Sequence, residues 1–214
     1  MGKVGGAPRG PYRSGIKRRE QIVKAAAKAF GERGYNGASM RQIAADVGVS
    51  PAALLRHFQD KEELLAAVLE WWAGETAALR VEERSGLAAF EDLRDFMAYH
   101  TQHRGLLELF IHLMGEASNE KHPARAFIQN RYTGTVNMLV KRLLVAAERG
   151  EIPPLTDAQA EAEARGLCAS MDGLEIQWLL DPTVDLVGLF GFHLDHTLER
   201  WKSGVYAPLP LGGL

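Results

Sequence analysis

Residues Ser39 to Phe58, SMRQIAADVGVSPAALLRHF, constrain the fold of this chain most, because they read as two short helices turned about one glycine. Ser39 caps the first helix with its hydroxyl, Gln42 reaches back to the backbone N–H of the cap, and Gly48 supplies the left-handed residue that ends it. Ser50 then caps the second helix and Pro51 takes its first helical position, where a missing N–H costs nothing. Ile43, Ala44, Val47, Val49, Leu54 and Phe58 form an apolar seam between the two, with Ala44 small enough for close approach. Pro51, Ala52, Leu55, Arg56 and His57 are left facing outward, small residues in front and basic ones behind, a face that fits a DNA major groove. A helical hairpin in an ordinary enzyme has the same caps and stop, so the flanking sequence has to separate the two readings.

Before the motif, the spacing predicts an amphipathic helix from roughly Gly15 to Arg33. Ile22, Val23, Ala26 and Phe30 form its buried stripe, and Lys17, Arg18, Arg19, Lys24 and Lys28 remain in water. Gly34 ends it, and Tyr35-Asn36-Gly37 leads into the motif. After the motif, DKEELLAAVL opens another helix with Asp60 and Glu63 as a capping pair. Residues 1–16 are Gly/Pro-rich and carry Lys3, Arg9 and Arg13; they read as a disordered basic segment, either a solubilising leader or an arm that touches DNA. Charge is unevenly placed: the net charge of −2 divides into +8 up to Lys61 and −10 beyond it, the layout of a head that alone meets phosphate.

The run IVKAAAKAFGERGYNGASMRQIAADVGVSPAALLRHFQDKEELLAAVL resembles the N-terminal domain of the TetR (tetracycline repressor) family of bacterial transcription regulators. The likeness covers Ile22 to Leu69 without a gap and includes Phe30, Gly34, Ile43-Ala44, Gly48-Val49-Ser50, His57-Phe58 and Lys61-Glu62. Two positions depart from the family pattern: Ala52 stands where glycine is common, and Leu55 where an aromatic residue, often tyrosine, is usual. A tyrosine hydroxyl contact to the DNA backbone is therefore not expected at position 55. The resemblance implies an all-α chain of about nine helices, with a DNA-binding head over 17–77, a ligand-binding and dimerisation body over 78–204 and a tail over 205–214. By position, Lys17, Ser39, Arg41, Ser50 and Lys61 are expected at phosphates, and Pro51, Ala52, Leu55 and Arg56 at base edges. His57 is expected to pack or to face a phosphate.

The helical pattern continues through the body. Leu64, Leu65, Val68, Leu69 and Trp72 stripe a fourth helix reaching about Val81, expected to be the mechanical link between head and body. Further helices follow at Phe90 to His100, Leu106 to Met114, about Pro123 to Arg149 with Gly150 as stop, from Thr156 with its partner Gln159, and from beyond Asp181-Pro182 to before Gly204. Ala164, Leu167, Cys168, Met171, Leu174 and Trp178 stripe the eighth helix; Val187, Phe190, Leu194, Leu198 and Trp201 stripe the ninth. These stripes are either internal core or half of an intersubunit four-helix bundle. The family resemblance favours the bundle, with Leu167, Met171, Leu174, Trp178, Phe190, Leu194 and Trp201 at a homodimer interface, so that Trp178→Asp and Phe190→Asp would give monomers. A further likeness of EASNEKHPARAFIQNRY and MDGLEIQWLLDP to one large TetR subgroup implies a shared C-terminal domain.

Other classes of function find little support. The sequence has no G-x-S-x-G, P-loop, H-E-x-x-H or dinucleotide fingerprint, and no Glu with a His three residues on, so neither a hydrolase nor a di-iron bundle enzyme is expected. Cys168 is the one cysteine, which excludes a disulfide framework. His100 with His103 and His193 with His196 have chelating spacing without a third ligand nearby, so no metal site is expected. Neither a signal peptide nor a membrane span is expected, which places the protein in the bacterial cytoplasm, associated with the nucleoid when bound to DNA. The expected protein is thus no enzyme and uses no cofactor: a homodimeric DNA-binding regulator, a repressor, on an inverted-repeat operator. A small molecule in the body would release it; the alternative is control by a protein partner or by abundance. Trp72, Phe96, His100, Phe110, Met114, Tyr132, Met138, Met171 and Gln177 are the expected pocket residues, and they suggest a neutral, partly apolar effector.

Overall fold

The computed structural model describes residues 11–77 and 84–206, all in helices and their connections, with no strand among them. Nine α-helices follow in order among the described residues: α1 (Pro11–Gly37, broken by a kink at Gly34), α2 (Met40–Val47), α3 (Pro51–Leu55), α4 (Lys61–Ala77), α5 (Asp92–Gln102), α6 (Arg104–Ala117), α7 (Arg125–Glu148), α8 (Asp157–Leu180) and α9 (Leu186–Lys202), with a 3-10 turn at Gly86–Glu91 before α5. The fold is all-α, as the periodicity predicts. The stop signals also sit where glycine alone is comfortable: Gly34, Gly48, Gly150 and Gly204 all have φ near +70°. Thr156 and Gln159 form the expected reciprocal capping box of α8. α1 begins at Pro11, earlier than the expected basic arm would end; residues 1–10 and the far end of the fourth helix, 78–81, lie outside the described residues.

The helices build two apolar cores. One joins Ile22, Ala26 and Phe30 of α1 with Ile43, Leu54 and Leu64 of the next three helices and Phe58 of the connection after α3, and continues into Leu106, Leu107, Leu109, Phe110 and Leu113 of α6. The other lies in the body and holds Phe90, Met97, Leu139, Leu143, Leu167, Phe190, Leu194 and Trp201. α6 therefore serves the head as much as the body, although some fifty residues of chain separate it from the motif. Glycines make this possible: a Cβ at Gly31 of α1 would lie 2.8 Å from the Gly105 carbonyl oxygen and 3.3 Å from the Leu109 amide nitrogen of α6. Backbone atoms cannot yield as a flexible side chain does, so the close crossing depends on the bare glycine. No helix among the described residues is long and apolar enough to cross a membrane.

Burial within the single chain divides the expected interface set. Leu167, Met171, Phe190, Leu194 and Trp201 are buried, Phe190, Leu194 and Trp201 completely. Their surface is largely taken by the body core. Leu174 and Trp178 are half-buried, and the Arg104 guanidinium lies 5.2 Å from the Trp178 ring centre. The exposed apolar side chains are their neighbours: Ile176 and Leu180 on α8, Leu189 and Phe192 on α9. With a period near 3.5, Ala162, Gly166, Ala169, Gly173, Ile176 and Leu180 form one face of α8, and Leu189, Phe192, His193 and His196 one face of α9.

Candidate functional site

The head presents α3 as the motif predicts. Ser39 Oγ accepts the Gln42 N–H at 3.3 Å, and the Gln42 side chain returns to the Ser39 hydroxyl at 3.2 Å where a bond to the cap's backbone N–H was expected. Val49 N–H bonds Ala44 O and Gly48 N–H bonds Ala45 O, closing α2. Ser50 Oγ then accepts the Ala53 N–H at 3.1 Å. Ile43, Ala44, Leu54 and Phe58 are fully buried, which fixes the angle between the helices. Pro51, Ala52 and Arg56 are left exposed, Leu55 is 50% exposed, and His57 is half-buried at the rear. Ser39, Ser50, Arg41 and Lys17 are exposed around this face.

Several cations of the head have structural work within it. The Arg19 guanidinium lies 4.7 Å from the Phe58 ring centre, and Arg33 pairs with Asp46 at 3.3 Å. Lys61, expected at a phosphate, donates from Nζ to the Ala38 carbonyl at 2.8 Å and lies 4.4 Å from the Tyr35 ring centre. Its position after the motif could not reveal this, because the partner carbonyl comes to it through the tertiary fold.

In the body, α5, α7 and α8 with Phe110 of α6 line a partly open cavity of about 110 Å³. Phe96, His100, Phe110, Tyr132, Met138 and Met171, six of the expected pocket residues, line it. Three expected residues do not. Gln177 is exposed on α8, Trp72 is buried against Phe110 and Phe127, and the Met114 sulfur sits 2.7 Å from the Tyr132 hydroxyl oxygen. The sequence reading missed the ionic lining: Asp92, Arg131, Arg142, Asp172 and Glu175. They lie on helix faces among apolar neighbours, and only the packing of three helices brings them together.

These charges are organised into pairs. Arg142 donates to Asp92 Oδ2 at 2.6 Å and to the Ala89 carbonyl, with Arg84 on the other Asp92 oxygen. His100 and Glu175, both buried, meet through Nδ1 and Oε1 at 2.6 Å. Tyr132 donates its hydroxyl to Asp172 Oδ2. Burial raises the Asp172 carboxyl to about 6, with the Glu175 charge adding to the rise. The lining therefore carries paired charges beside the apolar residues from which a neutral, partly apolar effector was expected. Among the described residues no group of three or more His, Cys, Asp or Glu is placed to hold a metal ion. His100 is bound to Glu175, His103 Nδ1 contacts the Tyr99 carbonyl, and His193 and His196 lie on the exposed face of α9.

Comparison with known proteins agrees with the geometry. Residues 22–68 match the family model of bacterial regulatory proteins of the tetR family, and residues 91–198 match that of the BetI-type transcriptional repressor C-terminal domain. The HTH-type transcriptional repressor AcnR of Corynebacterium diphtheriae is 37% identical over 86 residues, which span 40% of this chain and 43% of that protein. A TetR-family regulator from Agrobacterium tumefaciens superimposes with a TM-score of 0.72 at 19% identity, covering 87% of this chain and 98% of the other. SmeT, the repressor of a Stenotrophomonas maltophilia multidrug efflux pump, solved as a complex with triclosan, gives a TM-score of 0.68 at 24% identity over 92% and 98% of the two chains.

Proposed function

The chain belongs to the TetR family of bacterial regulatory proteins, and from that membership we propose that it is a homodimeric, ligand-released repressor acting on an inverted-repeat operator in the cytoplasm. DNA binding itself comes with the family; the carrying observation for the rest is the pairing of an exposed, capped α3 with an unpartnered apolar face on α8 and α9. A two-fold axis through that face duplicates the heads, and duplicated heads require half-sites whose centres lie about one helical turn, roughly 34–36 Å, or more apart. Selecting duplexes from a random pool with the full chain, then footprinting the winner, tests this. An inverted repeat is expected, and enrichment of a single half-site would remove the dimeric reading.

On that duplex, Arg41→Ala is expected to weaken selected and scrambled sequences alike and to lower the salt dependence by about one phosphate contact per half-site. Leu55→Ala is expected to relax preference at one base pair with the salt slope unchanged. Binding titrations across a salt series distinguish the two, and an altered base preference in Arg41→Ala would reverse the assignment.

The effector fills the body cavity and carries a polar or ionic group toward the Tyr132–Asp172 and His100–Glu175 pairs, with its apolar part against Phe96, Phe110 and Met138. A volume of about 110 Å³ is below the range usual for ligand pockets, roughly 300 Å³ and upward, and this favours a second reading in which a protein partner or abundance controls the regulator. A metabolite thermal-shift screen separates them. Only the first reading expects a compound that both stabilises the chain and weakens operator binding.

A further inference from the structure

The turn that feeds the DNA-binding motif is gripped by a side chain of the body. At the C-terminal end of α6, Glu116 Oε2 accepts the Tyr35 backbone N–H at 2.9 Å, and Oε1 accepts the Asn36 backbone N–H at 3.2 Å and the Asn36 side-chain amide at 3.0 Å. The chain enters this turn through Gly34 at φ +70°, and a Cβ there would stand 3.0 Å from Glu116 Oε1. Two conditions therefore meet at Gly34: a left-handed backbone and room for a foreign carboxylate. Three residues after Asn36, Ser39 caps α2.

The grip is two-sided. From the head, Lys61 holds the Ala38 carbonyl and covers one side of the Tyr35 ring. From the body, the His122 ring meets Tyr35 edge-on, with centroids 5.2 Å apart. His122 Nδ1 accepts the Ala124 N–H, which leaves the neutral ring's proton on Nε2. That Nε2 is buried, has no hydrogen-bond partner and lies 3.6 Å from Glu116 Oε2, too far for a hydrogen bond. The carboxylate is thus committed to the turn, with a buried donor behind it.

We propose that Glu116 is a positioning residue for DNA recognition, setting the pose of α2 and α3 from the body and carrying displacements of α6 into the head. Carboxylate bonds to N–H groups are among the stronger hydrogen bonds, and two to backbone amides with a third to the Asn36 side chain leave one short turn little freedom. The same α6 carries Phe110 on the cavity wall and crosses α1 at Gly31. A molecule pressing on Phe110 pushes the helix whose end holds the turn, so this transmission step rests on the ligand reading above, whereas the positioning step does not. The fourth helix, expected from sequence to be the link, then supplies the head's own side of the clamp through Lys61.

The test uses the full chain, a duplex selected from a random pool by the unsubstituted protein, and a scrambled duplex. Glu116→Ala is expected to lose about tenfold in affinity for the selected duplex, the worth of roughly one charge-assisted hydrogen bond, with less than about a twofold change on the scrambled one. Glu116→Gln, which keeps one acceptor oxygen, is expected to fall between. Hydrogen exchange at the Tyr35 and Asn36 amides should rise in the same order, and this readout serves if Glu116→Ala folds poorly. Parallel losses on both duplexes would make Glu116 merely structural and overturn the proposal, as would unchanged selectivity. For transmission, Phe110→Ala is combined with Glu116→Ala. If Phe110→Ala alters selected-duplex affinity alone but adds nothing in the Glu116→Ala background, the signal runs through the carboxylate; additive effects place it elsewhere. A duplex selection that enriches nothing would count against the DNA-binding reading and leave the amide-exchange result to judge the turn.

Discussion

Phe192→Asp is expected to give a folded monomer that binds the selected operator at least about a hundredfold more weakly, because each half-site is then held by one head alone. Phe192 is 65% exposed in the single chain, on the face of α9 that also carries Leu189. A carboxylate there costs the monomer little, within about 0.5 kcal/mol for a surface position, but two copies facing across a two-fold axis put like charges into an apolar seam. Phe190→Asp, two residues away, should behave differently. Phe190 is fully buried in the body core, so the same substitution strands an unpaired charge and should lower stability by more than about 4 kcal/mol. Sedimentation with circular dichroism reads both outcomes. A dimeric Phe192→Asp of full operator affinity would take α8 and α9 out of the assembly.

Asp172→Asn is expected to stabilise the chain at neutral and alkaline pH by up to about 3 kcal/mol, the cost of ionising a carboxyl whose pKa has risen from 3.8 to about 6. The sign follows from the raised value. The folded state prefers the protonated form, so the penalty is absent below about pH 4, grows as pH rises toward 6 and is complete above it. Asn keeps an oxygen for the Tyr132 hydroxyl and carries no charge to desolvate. Denaturant midpoints at pH 4 and pH 8 should therefore coincide at the lower pH and separate at the higher. A variant less stable than the parent at pH 8 would mean that the Asp172 charge is balanced by a stronger attraction than its burial penalty.

The sequence alone determined what short-range chemistry determines. Ser39, Gly48, Ser50, Pro51, Thr156 and the left-handed glycines act over three or four residues, so the helix ends and the helix-turn-helix were legible without knowing what packs on what. The inward direction of large side chains such as Phe96, Phe110 and Met171 was legible too, from their helical spacing, but not which of them meet at a cavity. Tertiary structure decided which side of each apolar stripe was already covered. Periodicity gives the direction of a stripe and cannot say whether its partner belongs to the same chain, and so Phe190 and Leu194 went to the core while Phe192 and Leu189 stayed exposed. It also decided the polar contacts made across long separations. Nothing in the sequence marks Glu116, and Lys61 reads only as a phosphate contact, until α6 and the motif's lead-in turn come together, since a charge has no periodic signature and its partner is fixed only by the packing of other residues.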